Sequence, residues 1–130
     1  MDLSRIIVCD DQTDTALTLA ELLRLYGYEV FACFDGDACL KKAQGWLPYA
    51  AIIDIGLPGI TGYDVARGFR ALPGGGNVVL IAVTGYGKHD DLKEARLADF
   101  DWHFNKPAPP SSIIEVLRDP DSSVPYGTRF

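Results

Sequence analysis

The stretch Ile6-Ile7-Val8-Cys9-Asp10-Asp11 decides how this chain folds, because it places two carboxylates directly after four apolar residues. Such a run is typical of a strand that is buried on both faces of a sheet. The run Ala51-Ile52-Ile53 precedes Asp54 in the same way, and a weaker apolar run precedes Lys106. Because the ends of parallel strands meet at one edge, we expect an acidic pocket with a single cation.

Strand-like and helix-like stretches alternate along the rest of the chain. The sequence predicts strands at 5–9, 28–32, 49–54, 77–83 and 101–104, and helices at 13–26, 35–44, 61–71, 90–98 and 111–118. This alternation favours an α/β domain with a five-stranded parallel sheet that is doubly wound, with helices on both faces. In such sheets ligands bind beyond the carboxyl ends of the strands.

The segments between these elements contain residues that are typical of helix caps and loops. Thr13 or Asp14 is expected to cap the first helix, and Thr61 has capping-box spacing to Asp64. The glycine run 74–76 predicts a flexible connection, and 84–87 a loop. We expect one domain over residues 1–118 and an irregular tail over 119–130, which is too short to be an output domain.

Composition limits the possible classes of function. The chain has 130 residues, is 48% hydrophobic, and carries 12 basic and 18 acidic residues for a net charge of −6. An acidic chain without a basic stripe argues against nucleic-acid binding. No apolar run approaches the roughly 18 residues of a membrane span, and no signal peptide is evident. We therefore expect a cytoplasmic protein that does not insert into a membrane.

Cys9, Cys33 and Cys39 are the three cysteines of the chain. Their number is odd, and their spacing matches neither a CxxC motif nor a zinc-binding pattern. The sequence therefore predicts small buried side chains in a reducing compartment, with no redox or zinc site.

The acidic residues suggest a particular chemistry. Adjacent carboxylates repel each other, and a divalent metal would remove that cost; oxygen ligands suit Mg²⁺. A carboxylate beside a metal can also attack phosphorus and form an aspartyl-phosphate. Lys106 and the hydroxyl of Thr84 could then contact phosphoryl oxygens. Each residue taken alone also fits an ordinary helix cap, turn residue or surface charge, so the prediction depends on the whole set.

Taken together, the motifs resemble those of bacterial response-regulator receiver domains. The resemblance covers about residues 4–118 and rests on four segments: Ile6–Asp11, Ile52–Gly59, Val83–Gly85 and Asn105–Pro107. It implies a flavodoxin-like fold with strand order 2-1-3-4-5. It also implies Asp54 as the phosphoacceptor, and Asp10 and Asp11 as ligands of Mg²⁺ or Mn²⁺.

The resemblance implies further roles around the same pocket. The backbone carbonyl of Gly56 would be another metal ligand, Thr84 the switch hydroxyl, and Lys106 the ion-pair partner of the phosphoryl group. Pro107 suggests a cis peptide bond after the lysine. His103 stands where the family usually has Tyr or Phe. It is either a partly exposed strand residue or a ring that swings inward with Thr84, which would add pH sensitivity.

The expected function is a phosphorylation-dependent switch in a two-component phosphorelay. A histidine kinase or histidine phosphotransfer protein would donate the phosphoryl group, and an unknown protein partner would read the result. The chain would not be an enzyme, although slow self-dephosphorylation over minutes or longer is expected, with Tyr86 covering the site. Other readings are a receiver cut from a hybrid histidine kinase, a flavodoxin-like electron carrier, an Asp-nucleophile phosphatase or a docking module.

Overall fold

A six-stranded sheet with strand order β2-β1-β3-β4-β5-β6 forms the centre of the molecule in the computed structural model. The structure describes residues 3–85 and 89–130. The strands are β1 Arg5–Cys9, β2 Glu29–Cys33, β3 Ala50–Asp54, β4 Val79–Thr84, β5 Trp102–Asn105 and β6 Gly127–Arg129. The helices are α1 Thr13–Leu25, α2 Gly36–Gly45, α3 Gly62–Ala71, α4 His89–Leu97 and α5 Pro110–Arg118.

The register of the parallel strands brings their carboxyl ends to one edge. Asp54 in β3 pairs with Val83 in β4, and Thr84 pairs with Asn105 in β5. Lys106 directly follows β5. The predicted order 2-1-3-4-5 is confirmed for the five parallel strands.

Helices cover both faces of the sheet, as the alternation predicts. On one face, Ile6, Val8 and Ile52 pack with side chains of α1 and α5, which include Ala20 and Ile113. On the other face, apolar side chains of α2, α3 and α4 pack against Ile7, Ala51 and Ile53. Because both faces are buried, the strands read in the sequence as continuous apolar runs.

The sixth strand differs from the expectation of an irregular tail. β6 pairs antiparallel with β5, so the sheet is mixed rather than wholly parallel. The indole N–H of Trp102 donates to the Pro120 carbonyl at 2.9 Å, and Val124 is buried. A side chain at Gly127 would come within 2.9 Å of the Phe104 and Trp102 rings. The tail therefore lies close against β5 because a glycine faces two aromatic rings.

Two further expectations about connecting segments were wrong. The residue that caps α1 is Gln12, with no side-chain hydrogen bond, rather than Thr13 or Asp14. The run predicted to be flexible contains a 3₁₀ helix, Gly75–Asn77. A Cβ at Gly75 would lie 1.7 Å from the Phe69 carbonyl oxygen, so this turn needs glycine for close packing.

The capping box between Thr61 and Asp64 is confirmed.

Among the described residues, no helix combines the length and the apolar character that crossing a membrane requires.

Candidate functional site

Lys106 joins two carboxylates that come from different strands. Its Nζ lies 3.0 Å from Oδ2 of Asp10 and 3.2 Å from Oδ2 of Asp54. Both carboxylates are buried, with 6% and 7% exposure. The remaining oxygens are also bonded: Oδ1 of Asp10 accepts from the Gln12 amide, and Oδ1 of Asp54 accepts from the Gly56 amide. Backbone amides of the loops after β1 and β3 thus orient both carboxylates.

The charge of this cluster is not balanced by protein groups alone. Asp11 joins Asp10 and Asp54, and an oxygen of each of the three lies within 4.8 Å of the others. Three carboxylates and the ammonium of Lys106 leave a formal charge of −2. Burial lowers the pKa of Lys106, but the hydrogen bond to Asp10 and the two nearby carboxylate charges raise it by more, so the net pKa is raised.

These donors fit a hard divalent cation. Mg²⁺ prefers oxygen ligands, keeps several waters, and would cancel the residual charge of −2. Asp11 is exposed at the rim, whereas Asp10 and Asp54 are buried beneath it, so the site has a side open to solvent. The backbone of Gly56 lies beside Asp54, where its carbonyl is a candidate further ligand.

A cleft extends from these carboxylates along the surface. Its volume is about 650 Å³, and it continues between α1 and α5 past the apolar side chains of Leu19, Leu22 and Ile113. Asp10, Asp54 and Lys106 are among the residues that line it. The candidate phosphoacceptor is therefore reached from an open groove rather than from an enclosed cavity.

Thr84 lies at the end of β4, within the strand rather than in the predicted loop. Its hydroxyl is buried, donates to Oδ1 of Asn105 at 3.2 Å, and lies 3.3 Å from Nε2 of His103. In this state the hydroxyl is engaged by the neighbouring strand β5. Asn105 begins one of the four segments that carry the resemblance, but the sequence predicted no role for it. Its contact with Thr84 follows from the pairing of β4 with β5.

His103 is buried, with 3% exposure, so the expectation of a partly exposed strand residue was wrong. Its ring already lies against Thr84 without any further movement.

The peptide bond between Lys106 and Pro107 is cis, as expected from the motif. Tyr86, expected to cover the site, lies outside the described residues.

Comparison with known proteins identifies what this chain is similar to. A family model for the response regulator receiver domain matches residues 6–118. Sporulation initiation phosphotransferase F of Bacillus subtilis is 26% identical over 114 residues, which cover 88% of this chain and 90% of that protein. Other curated relatives are longer: the chain spans 29% of matched transcriptional regulatory proteins and 10% of matched virulence sensor proteins.

Two solved structures are informative about the pocket. A response regulator from Burkholderia pseudomallei with a phosphorylated aspartic acid and a calcium ion has a TM-score of 0.80 and 26% identity, covering 89% of this chain and 67% of that one. The receiver domain of the sensor histidine kinase PA1611 from Pseudomonas aeruginosa, with magnesium in its active site cleft, has a TM-score of 0.81 and 25% identity, covering 88% and 94%.

Proposed function

The chain belongs to the response regulator receiver domain family, and from this premise we propose that it is a phosphorylation-controlled switch that accepts a phosphoryl group on Asp54. Receiver domains of this family serve as phosphoacceptors of histidine kinases and phosphotransfer proteins rather than as enzymes in general. The donor for this chain would accordingly be a histidine kinase or a histidine phosphotransfer protein, and a further protein would read the phosphorylated state.

One observation carries the proposal: the ammonium of Lys106 lies 3.2 Å from Oδ2 of the buried Asp54. A carboxylate is a weak nucleophile, and the charge of the incoming phosphoryl group opposes its attack. A fixed cation next to the attacking oxygen reduces that repulsion and is already in place before the reaction. The contact with Asp10 holds the ammonium there.

In the proposed transfer, an oxygen of Asp54 attacks phosphorus as the bond from phosphorus to the donor breaks. The new oxygen–phosphorus bond is that of an aspartyl-phosphate. When the donor is a phosphohistidine, the leaving imidazole keeps the electron pair and takes up a proton. The Gly56 amide keeps the second oxygen of Asp54 in place through its hydrogen bond.

Asp10, Asp11 and Asp54 would hold Mg²⁺ or Mn²⁺, together with the Gly56 carbonyl. The cation would supply charge neutralisation for the phosphoryl oxygens during transfer. The proximity of the three carboxylates and their uncompensated charge support this assignment. The magnesium in the active site cleft of the PA1611 receiver supports it by analogy.

We assign Thr84 and His103 to signal propagation. After phosphorylation, Thr84 would leave Asn105 and donate its hydroxyl to a phosphoryl oxygen, while Lys106 would pair with another. The ring of His103 contacts the Thr84 hydroxyl and must adjust when that hydroxyl moves. The surface formed by α4, β5 and α5 would then differ between the two states, and the partner would bind there.

The proposed function is compatible with two kinds of parent protein. The chain could act by itself as a regulator, or it could be the receiver module of a hybrid histidine kinase, as PA1611's receiver belongs to a sensor histidine kinase. Both use the same phosphoacceptor chemistry.

The proposed location is the cytoplasm, where reducing conditions match the three free cysteines. We also propose that the phosphorylated chain loses its phosphoryl group from Asp54 slowly, over minutes or longer, without a phosphatase.

The test is phosphorylation by a small phosphodonor in the presence of Mg²⁺, followed by intact mass measurement. We expect one added phosphoryl group on the wild-type chain and none on Asp54→Asn. Asp37→Asn is the matched control, since Asp37 is exposed in the first turn of α2, away from the acidic cluster. Equal phosphorylation of wild type and Asp54→Asn would overturn the assignment of Asp54.

A further inference from the structure

The three thiols of the chain lie together on the face of the sheet that α2 covers. Cys9 ends β1, Cys33 ends β2, and Cys39 belongs to α2. Their sulfur atoms lie within 4.8 Å of one another, and their exposures are 1%, 3% and 0%. They are free thiols. The sequence spacing gave no hint of this cluster, because three separate elements bring it together.

The backbone fixes this arrangement. Cys9 and Cys33 are register partners on neighbouring parallel strands. The side chain of Asp35 caps α2 by accepting from the Ala38 amide, which places Cys39 over the two strands. The Cys9 thiol also lies 3.4 Å from the Asp35 carbonyl oxygen. Strand pairing therefore holds the Cys9 and Cys33 sulfurs close to each other, and the packing of α2 on the sheet brings the Cys39 sulfur to them.

We propose that Cys9, Cys33 and Cys39 form a three-sulfur binding site for a trivalent metalloid hydroxide such as arsenite. Three sulfurs at about 2.3 Å from one central atom are separated from each other by no more than about 4 Å. The cluster needs only a small contraction to reach that geometry. Within the described part of the chain, no further thiol, imidazole or carboxylate joins the cluster.

Charge favours a trivalent metalloid over a metal cation. Three thiolates give a net charge of −2 with Cu⁺, −1 with Zn²⁺ and zero with trivalent arsenic. The cluster is surrounded by apolar side chains, including Ile7, Ile53 and Val65, where a net charge is costly. Asp35, whose carbonyl oxygen lies 3.4 Å from the Cys9 sulfur, brings a further negative charge near the cluster. Zn²⁺ would also lack a fourth protein side-chain ligand.

The binding step is balanced without an oxidant. Each arsenic–oxygen bond of arsenite is replaced by an arsenic–sulfur bond, and each thiol proton leaves with a hydroxyl group as water.

The experiment uses the reduced full chain incubated to completion with arsenite, with Zn²⁺ and Cu⁺ in parallel. We expect one arsenic per folded chain in native mass spectra, with the loss of three protons and of three titratable thiols. The melting temperature should rise, since the folded chain holds the sulfurs together. Folded protein should also bind at least about tenfold more tightly than the same chain in urea.

Variants Cys33→Ala and Cys39→Ala, checked for folding by near-ultraviolet circular dichroism, should each weaken arsenite binding at least about tenfold. If a variant does not fold, the comparison of folded and urea-treated wild type decides instead. A lower melting temperature, equal binding in urea or tighter retention of Zn²⁺ or Cu⁺ than of arsenite would overturn the proposal. Failure here would leave the phosphoacceptor proposal intact, because none of the three thiols has a role in it.

Discussion

The hydroxyl of Thr84 donates to Oδ1 of Asn105 at 3.2 Å, across the pairing of β4 with β5. Asn105 directly precedes Lys106, the cation that contacts the two buried carboxylates. Thr84, which we propose to contact the phosphoryl group, is therefore hydrogen-bonded to the last residue of β5, next to the cation in the chain. Before Thr84 can reach the pocket, this hydrogen bond has to break.

Replacing Asn105 by Ala should therefore favour the phosphorylated state. A neutral hydrogen bond contributes about 0.5–1.5 kcal/mol, so we expect Asn105→Ala to accept phosphate from a small phosphodonor about threefold to tenfold faster. Intact mass measured over time gives the rate. Asn77→Ala is the matched control, because Asn77 is an exposed residue of the 3₁₀ helix. An unchanged rate in Asn105→Ala would mean that the bond does not restrain Thr84.

The sequence was sufficient to predict the acidic end of the site. Asp10, Asp54 and Lys106 each follow an apolar run, and parallel strands bring their carboxyl ends to the same edge. The contacts of Thr84 with Asn105 and His103 could not be predicted in this way. They depend on side-chain rotamers and on burial of the imidazole, and neither leaves a periodic signal in the sequence.

The sixth strand and the thiol cluster were missed for different physical reasons. Gly127–Arg129 has no apolar alternation, because its position depends on pairing with β5 and on packing of Gly127 against aromatic rings. Cys9, Cys33 and Cys39 meet only after β1, β2 and α2 have packed. Spacing rules detect metal ligands that lie within one short sequence motif, whereas these three cysteines come from three separate elements.

Mg²⁺ should stabilise the folded chain through the acidic cluster. At a concentration about 100-fold above Kd, binding to the folded state alone adds about 2.7 kcal/mol to the free energy of unfolding. We expect Asp11→Asn to weaken Mg²⁺ binding at least about tenfold. In EDTA the same replacement should leave the chain at least as stable as the wild type, because it removes one of three mutually repelling carboxylates.

The measurement is urea unfolding with Mg²⁺ or with EDTA, and the control is Asp37→Asn, an exposed acidic residue of α2. Equal stabilisation by Mg²⁺ in Asp11→Asn and in the control would exclude Asp11 as a ligand.

Lys106 should make stability sensitive to alkaline pH. Burial lowers its pKa, but the carboxylates of Asp10 and Asp54 raise it by more, so the folded-state pKa exceeds the unfolded one. The resulting stabilisation is fully present below about pH 10.4 and is lost as the pH rises through the folded-state pKa. We expect Lys106→Met in EDTA to be less stable by about 1–3 kcal/mol at neutral pH.

Above about pH 10.4 the wild type should lose stability more steeply than Lys106→Met, so that the two free energies of unfolding converge. Urea unfolding across this range provides the comparison. Lys41→Met, at an exposed position of α2, should stay parallel to the wild type. A constant difference between wild type and Lys106→Met would show that the ion pairs do not set the alkaline response.

Gly127→Val should separate the tail from β5. A Cβ at Gly127 would lie 2.7 Å from Cζ of Phe104 and 2.9 Å from Cζ3 of Trp102. We expect a loss of about 1–3 kcal/mol in the free energy of unfolding. Trp102 fluorescence, read in a Trp46→Phe background, should shift to the red as the indole meets water.

Gly45→Ala is the control for this variant, since a Cβ at Gly45 meets no atom within 4 Å. A Gly127→Val variant with unchanged Trp102 emission and stability would contradict the close packing of the tail on β5.

Replacing His103 by Phe tests whether the imidazole restrains Thr84. Nε2 of His103 lies 3.3 Å from the Thr84 hydroxyl oxygen. A phenyl ring cannot form a hydrogen bond with that oxygen. A neutral hydrogen bond contributes about 0.5–1.5 kcal/mol, so we expect His103→Phe to accept phosphate from a small phosphodonor about threefold to tenfold faster than the wild type.

Intact mass measured over time gives this rate, and Asn77→Ala at an exposed position of the 3₁₀ helix is again the matched control. An unchanged rate in His103→Phe would assign His103 to packing beneath Thr84 alone. A faster rate would show that the imidazole and Asn105 restrain the same hydroxyl, because both contact it from β5.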